Sequence, residues 1–309
     1  MVSNPLLSVV IPCRNYGRFL PECLGSLAAQ WARQEIDSRA VEVILADDAS
    51  EDGSADIARE LLPALGLGSW RVLELERQGR PGPVRNAGLE LARGELLLCL
   101  DPDDLLLPGF AAAHVSALEQ GADVAYAGFV LEEGGTRREI APPDYHPLLL
   151  ASQNILPPTA MFRRGLWDAG ARFRSATAYE DWDFWVRLAL LGAKFSRAEG
   201  ILYLHRQHGA NYSNLAQAQD GRAKALIVQE NPGFFPPHTR AWARGLLRGE
   251  AWAQPGGRGV IPVLRRDVTL PQRASSTPAL DREPEFSYPV DSARAARAGS
   301  TNRAKDTRS

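Results

Sequence analysis

The sequence predicts an α/β fold, a mostly parallel twisted sheet with helices on both faces. Three observations carry this expectation. In the first third of the chain, short apolar runs alternate with amphipathic stretches at strand and helix lengths. Polar residues cluster directly after the runs, where the carboxyl ends of parallel strands and their ligands lie. The composition is that of an ordinary globular protein, with 45% hydrophobic and 23% charged residues in 309, enough for one large domain or two small ones.

Residues 7–11 (LSVVI) read as a buried strand, and 19–30 as a helix with Phe19, Cys23, Leu24 and Leu27 on one face. Residues 41–46 (VEVILA) give a second strand, 55–62 a second helix and 71–75 a third strand. Residues 84–92 form a third helix stopped by Gly94, and 95–100 (ELLLCL) a fourth strand. Beyond Pro108 the pattern predicts a helix over 109–120, a strand over 123–130 and a Gly-Gly turn within 132–136. The proline-rich stretch 141–158 reads as a loop over the site. A short strand over 159–162, a helix over 178–191 and a strand over 201–205 follow, then a polar segment through Asn214. Helices are expected over 216–230 and 238–250. From Pro255 the chain becomes rich in Arg, Ala, Ser, Thr and Pro, the composition of a disordered tail. The domain expectation is one catalytic unit over 1–254, with a nucleotide-binding half to about 107, an acceptor half over 108–215 and a helical end over 216–254.

A formal net charge of −2 offers no basic surface for nucleic acid. Three cysteines without a C-x-x-C pair argue against a disulfide framework or a thiolate zinc site and suit a reducing, cytoplasmic compartment. The apolar runs are too short to span a bilayer, and residues 1–7 lack the basic start of a signal peptide. Peripheral contact with the inner face of a membrane remains compatible with this.

The strand ends hold the chemistry. After the first come Pro12-Cys13-Arg14-Asn15, after the second Asp47-Asp48, and after the fourth Asp101-Pro102-Asp103-Asp104. Carboxylates packed this closely repel one another unless they share a cation, and Mg2+ or Mn2+ with substrate phosphates is the natural partner. The alternative is capping of a helix opening near Pro108 by Asp103 or Asp104. Asp48 suits hydrogen bonds to a base or ribose, while Asp52 or Ser54 caps the following helix. The loop 77–86 brings Arg77, Arg80 and Arg85 within reach of a diphosphate; a solvated loop accounts equally well for Arg77 and Arg80.

In this order the motifs resemble glycosyltransferase family 2. They are Ser8-Val9-Val10-Ile11-Pro12, Asp47-Asp48-x-Ser50-x-Asp52-Gly53-Ser54, Arg85-Asn86-x-Gly88, Gly94-Glu95 and Leu100-Asp101-Pro102-Asp103-Asp104. Glu180-Asp181-Trp182-Asp183 is similar to that family's Glu-Asp segment, and Tyr203-Leu204-His205-Arg206-Gln207-His208 to its late Arg/His segment. The resemblance covers about residues 6–215. It implies a GT-A fold with a Rossmann-like nucleotide-binding half, a nucleotide-diphosphate sugar donor, a divalent cation, and inversion at the anomeric carbon. The acceptor would be a hydroxyl on a glycan, a lipid-linked sugar or another molecule.

Carried over residue by residue, Pro12 and Asp48 would flank the nucleobase, with Asn15 and Arg85 as further nucleotide contacts. Asp101 would face ribose and metal, Asp103 would bind the metal with His208 as a second contact, and Asp181 would be the base. The resemblance departs at Pro102, which stiffens the Asp-x-Asp turn but leaves both carboxylates. On their own, Glu180, Asp181 and Asp183 read as helix-start charges, with Asp183 spaced to pair with Arg187. Trp182 and Trp185 read as core or as sugar platforms, and His205 as a structural hydrogen bond. Two other readings share the acidic site: a nucleotidyltransferase, which usually carries a glycine-rich triphosphate loop that 12–15 does not offer, and a non-catalytic nucleotide-sugar-binding protein.

Overall fold

In the computed structural model, which describes residues 4–32, 36–209 and 218–263, strand β1 (Leu7–Cys13) is buried along its whole length. A central strand covered by helices above and below has no polar face, so its sequence is continuously apolar rather than alternating. β2 (Val41–Asp47) shows the same pattern. β1 pairs in parallel with β2 on one side and with β4 (Leu96–Cys99) on the other, and β3 (Ser69–Glu74) lies outside β2. Helices α1 (Leu20–Ala32), α2 (Ser54–Leu61) and α3 (Pro81–Leu91) make the crossovers. The chain builds outward to β3 and then returns to the far side of β1. The strand order therefore reverses between β1 and β4, where ligands bind in such sheets.

The second half supplies β5 (Leu105–Leu106), β6 (Val124–Glu133), β7 (Thr136–Ile140), β8 (Met161–Arg163) and β9 (Phe195–Gln207). Among them run α4 (Phe110–Glu119), α5 (Pro147–Ser152), α6 (Arg164–Asp168) and α7 (Glu180–Leu190). The described strands form one sheet in the order β3-β2-β1-β4-β8-β6-β9-β5, with β7 added to β6. The β1–β4 half is parallel as expected, and the sheet beyond β4 is mostly antiparallel, with β6 and β9 parallel. Successive strand residues feed opposite cores. Val10, Ile44 and Leu97 pack with α5 and α7, whereas Val9, Val43 and Leu98 pack with α1 and α4. Gly88 lets α3 lie close on β1, since a Cβ there would stand 2.4 Å from Val10 Cγ1.

The expected Gly-Gly turn is present, with a return strand the sequence did not announce, and two expectations change. The Gly-Gly turn is a hairpin tip with Gly134 and Gly135 both left-handed (φ 57° and 79°); its return strand β7 is charged and exposed, so it gave no apolar signal. The stretch 141–158 is not all loop, because α5 buries Leu150 and Ala151 there. The packed chain also runs past Gln254. Two last helices, α8 (Asp220–Glu230) and α9 (Pro237–Leu247), are strapped down by residues 255–263. Lys224 Nζ donates to the carbonyls of Pro255 (2.8 Å) and Gly257 (2.6 Å), Thr239 Oγ1 to that of Pro262 (2.9 Å), and Ile261 is fully buried. The tail boundary at Pro255 is thereby corrected, since two apolar side chains, Ile261 and Val263, suffice to anchor this short segment. Residues 210–214 of the polar segment, the start of the helix expected at Ala216, and the chain from 264 onward lie outside the described residues. No helix among the described residues is long and apolar enough to cross a membrane.

Candidate active site

The ends of β1 and β2 are locked to each other. Asn15 and Ala49 both adopt left-handed backbone (φ 57° and 54°), which turns the chain sharply at each strand end. Asn15 Oδ1 accepts from the Glu51 N–H at 2.8 Å, and its own N–H donates to Ser50 Oγ at 2.9 Å. Pro12 lies inside β1, paired with Ala46, rather than after the strand. Asp48 is buried, and its carboxylate accepts from the backbone N–H groups of Gln78 and of Gly79, the latter at 3.0 Å. The N-cap of α2 is Gly53, not Asp52 or Ser54 as expected; Asp52 instead accepts from the N–H of Ser54 and from that of Gly17 at 2.9 Å, bracing the turn before the helix. Of the loop arginines, Arg80 donates to the Ser175 carbonyl.

Residues 101–104 form a tight turn in which the Asp104 N–H reaches the Asp101 carbonyl at 3.0 Å. Pro102 holds the second position, where its fixed φ favours the turn. Neither Asp103 nor Asp104 caps α4; its N-cap is Gly109, with no side-chain cap bond. The three carboxylates instead diverge to three partners. Asp101 Oδ1 accepts from Arg85 at 2.7 Å, Asp103 Oδ2 lies 3.1 Å from His208 Nε2, and Asp104 meets His205 Nδ1 at 3.1 Å and the Arg206 N–H at 3.1 Å. Burial, with Asp104 and Asp101 beside it, pushes the Asp103 carboxyl up to about 8. Burial opposes a charge on His205, but Asp104 outweighs it and raises the imidazole to about 9. His205 thus takes the structural role expected of it.

Arg85 is turned inward. It is 4% exposed, and its guanidinium joins Asp101 (2.7 Å) to Glu180 (2.8 Å), the first residue of α7. This bridge ties the turn after β4 to the start of α7, where Asp181 lies. Glu180 and Asp183 lie in the first turn of α7, as the sequence suggested, but both are buried. Burial pushes Glu180 up to about 7 against the pull of Arg85. Asp183 is fully buried and pairs with Arg174 at 2.5 Å, not with Arg187, which donates to the Arg172 carbonyl. Asp181 differs from both. Among the described residues no arginine or lysine pairs with it, and its Oδ2 accepts from the neutral amide of Asn154 at 2.8 Å. Burial raises its carboxyl, against the Trp182 N–H, Arg85 and Asn154. Trp182 and Trp185, each 1% exposed, are core.

Sequence reasoning missed Asn154, which has no motif and sits 27 residues from its partner. It also passed over Tyr16 and Phe19. Their rings lie 5.7 Å and 5.2 Å from the His208 ring, and the half-buried Tyr16 hydroxyl is pushed up by desolvation and by Asp103, Asp101 and Asp104. An aromatic pair just past a strand end was the available signal.

A GT-A sheet with an acidic turn after its fourth strand defines the class, and residues 8–180 match the family described as Glycosyl transferase family 2. That is more than half of the chain, which belongs to this family. The glycosyltransferase GlyG of Streptococcus pneumoniae serotype 4 is 25% identical over 228 residues, covering 67% of this chain and 73% of that protein. The PGL/p-HBAD biosynthesis glycosyltransferase of Mycobacterium bovis is 30% identical over 193 residues, covering 60% and 70%. Two solved structures share the fold. Staphylococcus aureus TarS 1–349 in complex with UDP-GlcNAc has a TM-score of 0.59 at 22% identity, covering 80% of this chain and 72% of that one. The mannosyltransferase PcManGT of Pyrobaculum calidifontis, in complex with GDP-Man and Mn2+, has a TM-score of 0.58 at 19% identity, covering 82% and 73%.

Proposed function

We propose that this glycosyltransferase moves a sugar from a nucleotide-diphosphate sugar to an acceptor hydroxyl with inversion, with Asp181 as base and a divalent cation at Asp103 and His208. One observation carries the reading. Of the three acids that open α7, Glu180 and Asp183 are paired with Arg85 and Arg174, and Asp181 alone keeps its carboxylate for a proton.

The residues present fit a cation. No three His, Cys, Asp or Glu side chains converge among the described residues, but such ions are commonly held by one or two protein ligands plus substrate phosphates. A buried carboxyl raised by two neighbouring carboxylates is the electrostatic situation a cation relieves. Mn2+ or Mg2+ bound there would neutralise charge developing on the departing diphosphate.

This chain's residues do the rest. Pro12 and Asp48 flank the nucleobase, Asn15 shapes the turn beside it, and Asp101 faces the ribose while held by Arg85. The acceptor oxygen bonds to the anomeric carbon, the bond from that carbon to the phosphate oxygen breaks, and nucleoside diphosphate leaves with the electron pair. The acceptor's proton passes to Asp181, a carboxylate fixed by a helix start. The acceptor is a glycan or lipid-linked hydroxyl, reached on the cytoplasmic side, with peripheral membrane contact where the acceptor is a lipid.

A panel of UDP- and GDP-sugars tests the reading. Nucleoside diphosphate release should appear with one of them in the presence of Mn2+ and disappear with EDTA. Equal release in EDTA, or none with any donor, contradicts it.

A further inference from the structure

We infer that Asn154 is a positioning residue for proton transfer, holding the Asp181 carboxylate so that one chosen oxygen takes the acceptor's proton. The inference rests on the reading of Asp181 as base.

The geometry is direct. The amide Nδ2–H donates to Asp181 Oδ2 at 2.8 Å. An oxygen already accepting an N–H is the poorer proton acceptor, so the proton is steered to Oδ1. The donor end of the amide must face an ionised carboxylate, because its oxygen would face another oxygen in the opposite orientation.

A second observation separates this asparagine from one placed for structure alone. Its own Oδ1 is buried without a hydrogen-bond partner. Buried polar atoms in folded proteins are nearly always satisfied, so an orphan calls for an explanation. A purely structural asparagine would be expected to use both ends of its amide. This one keeps its donor end on Asp181 and leaves the other end empty.

The surroundings hold the amide still. On one side, Trp182 Nε1, from the same helix as Asp181, donates to the Leu150 carbonyl at 2.7 Å. On the other, the Ile261 N–H donates to the Ser152 carbonyl at 2.7 Å, and Gln153 pairs with Val260 in an antiparallel bridge. Ile155 and Leu156, which follow, are buried. The strap 255–263 therefore anchors the residues just before Asn154, and α7 anchors those before them. Rigid support of this kind fixes a catalytic group's orientation.

The charged and titratable groups facing Asp181 are Arg85 on α3, Asp101 after β4, and Tyr179 and Glu180 at the start of α7. Against that fixed background, the amide is a neutral hydrogen bond to the charged form, and its removal raises the carboxyl further.

The test is the pH profile of kcat/KM for nucleotide-sugar hydrolysis with Mn2+, water serving as acceptor. The substrate is whichever of UDP-GlcNAc, UDP-glucose, UDP-galactose and GDP-mannose turns over fastest. Asn154→Leu removes the donor while keeping the branching at Cγ, and Asn154→Asp replaces it with a like charge. The acid limb should move to higher pH in the order parent, Asn154→Leu, Asn154→Asp. On that limb Asn154→Leu should run about tenfold slower, the equivalent of one pKa unit. Nucleoside diphosphate affinity should not change. Asn154→Ser, a smaller donor, should return the limb part of the way. If the limb vanishes in Asp181→Asn but stays fixed in all three Asn154 variants, Asn154 has no positioning role and the base assignment stands. If the limb survives Asp181→Asn, both fail together.

Discussion

Asp181→Asn should lower turnover by about 10²–10⁴-fold, the usual cost of removing a general base, with nucleoside diphosphate affinity unchanged. The amide nearly matches the carboxylate in shape and can accept from Asn154 Nδ2–H, so the site keeps its form. The proton moves only in the transition state, and the loss therefore falls on kcat. Stability should move the other way. Burial raises the folded-state pKa of Asp181 above the value of about 3.9 found in an unfolded chain. The folded protein is thus penalised for this charge at every pH above the raised pKa. The penalty fades as pH falls through that pKa and is gone below the unfolded value. Asparagine, uncharged throughout, should be at least as stable as the parent at pH 8, with the advantage vanishing below about pH 4. Were Asp181 a helix-start charge and nothing more, asparagine would instead cost about 0.3–1 kcal/mol and leave catalysis alone. Turnover, nucleotide titration and urea unfolding on one preparation separate the two.

Asp103→Ala should abolish metal-dependent donor binding. For the parent, nucleoside diphosphate with Mn2+ at one hundred times its dissociation constant should stabilise the fold by about 2.7 kcal/mol. The variant should show nearly none of that gain at the same concentrations. Without metal it should unfold no more readily than the parent, because alanine removes a buried carboxyl crowded by Asp104 and Asp101. Retained Mn2+-dependent stabilisation would take Asp103 out of the cation site. A variant unfolded in the absence of metal would show that the turn needs this carboxyl for its own integrity.

The β1–β4 half was legible because β1, β2 and β4 are buried on both faces and the helices between them are amphipathic. LSVVIPC and VEVILAD are apolar runs ended by polar residues, a pattern that survives without any knowledge of neighbours. The acidic turn at 101–104 and the Glu-Asp pair at 180–181 were legible as motifs, and their chemistry follows from residue type. What escaped depends on partners distant in sequence. Arg85 reads as a nucleotide contact until folding places Glu180, 95 residues away, against it. Asp183 looked ready for Arg187 one helical turn on, but Arg174 reaches it from the segment before α7. Asn154 sits in a proline-rich stretch whose helix, α5, is only six residues long. β7 and the first half of β9 are exposed and polar, so no apolar run announced them. The strap 255–263 is anchored by Ile261 and Val263, too few apolar residues to change the character of the window around them.

The anomeric configuration of the first product tests the central claim most directly. With an α-linked nucleotide sugar as donor, proton NMR during the first minutes of turnover reports the configuration at the new bond before mutarotation can mix the anomers of any hydrolysed sugar. A base at Asp181 acting opposite the departing diphosphate predicts that the β anomer forms first, and that its formation is lost in Asp181→Asn. An α product forming first would mean retention, and the account of Asp181 as the base in a single displacement would be wrong.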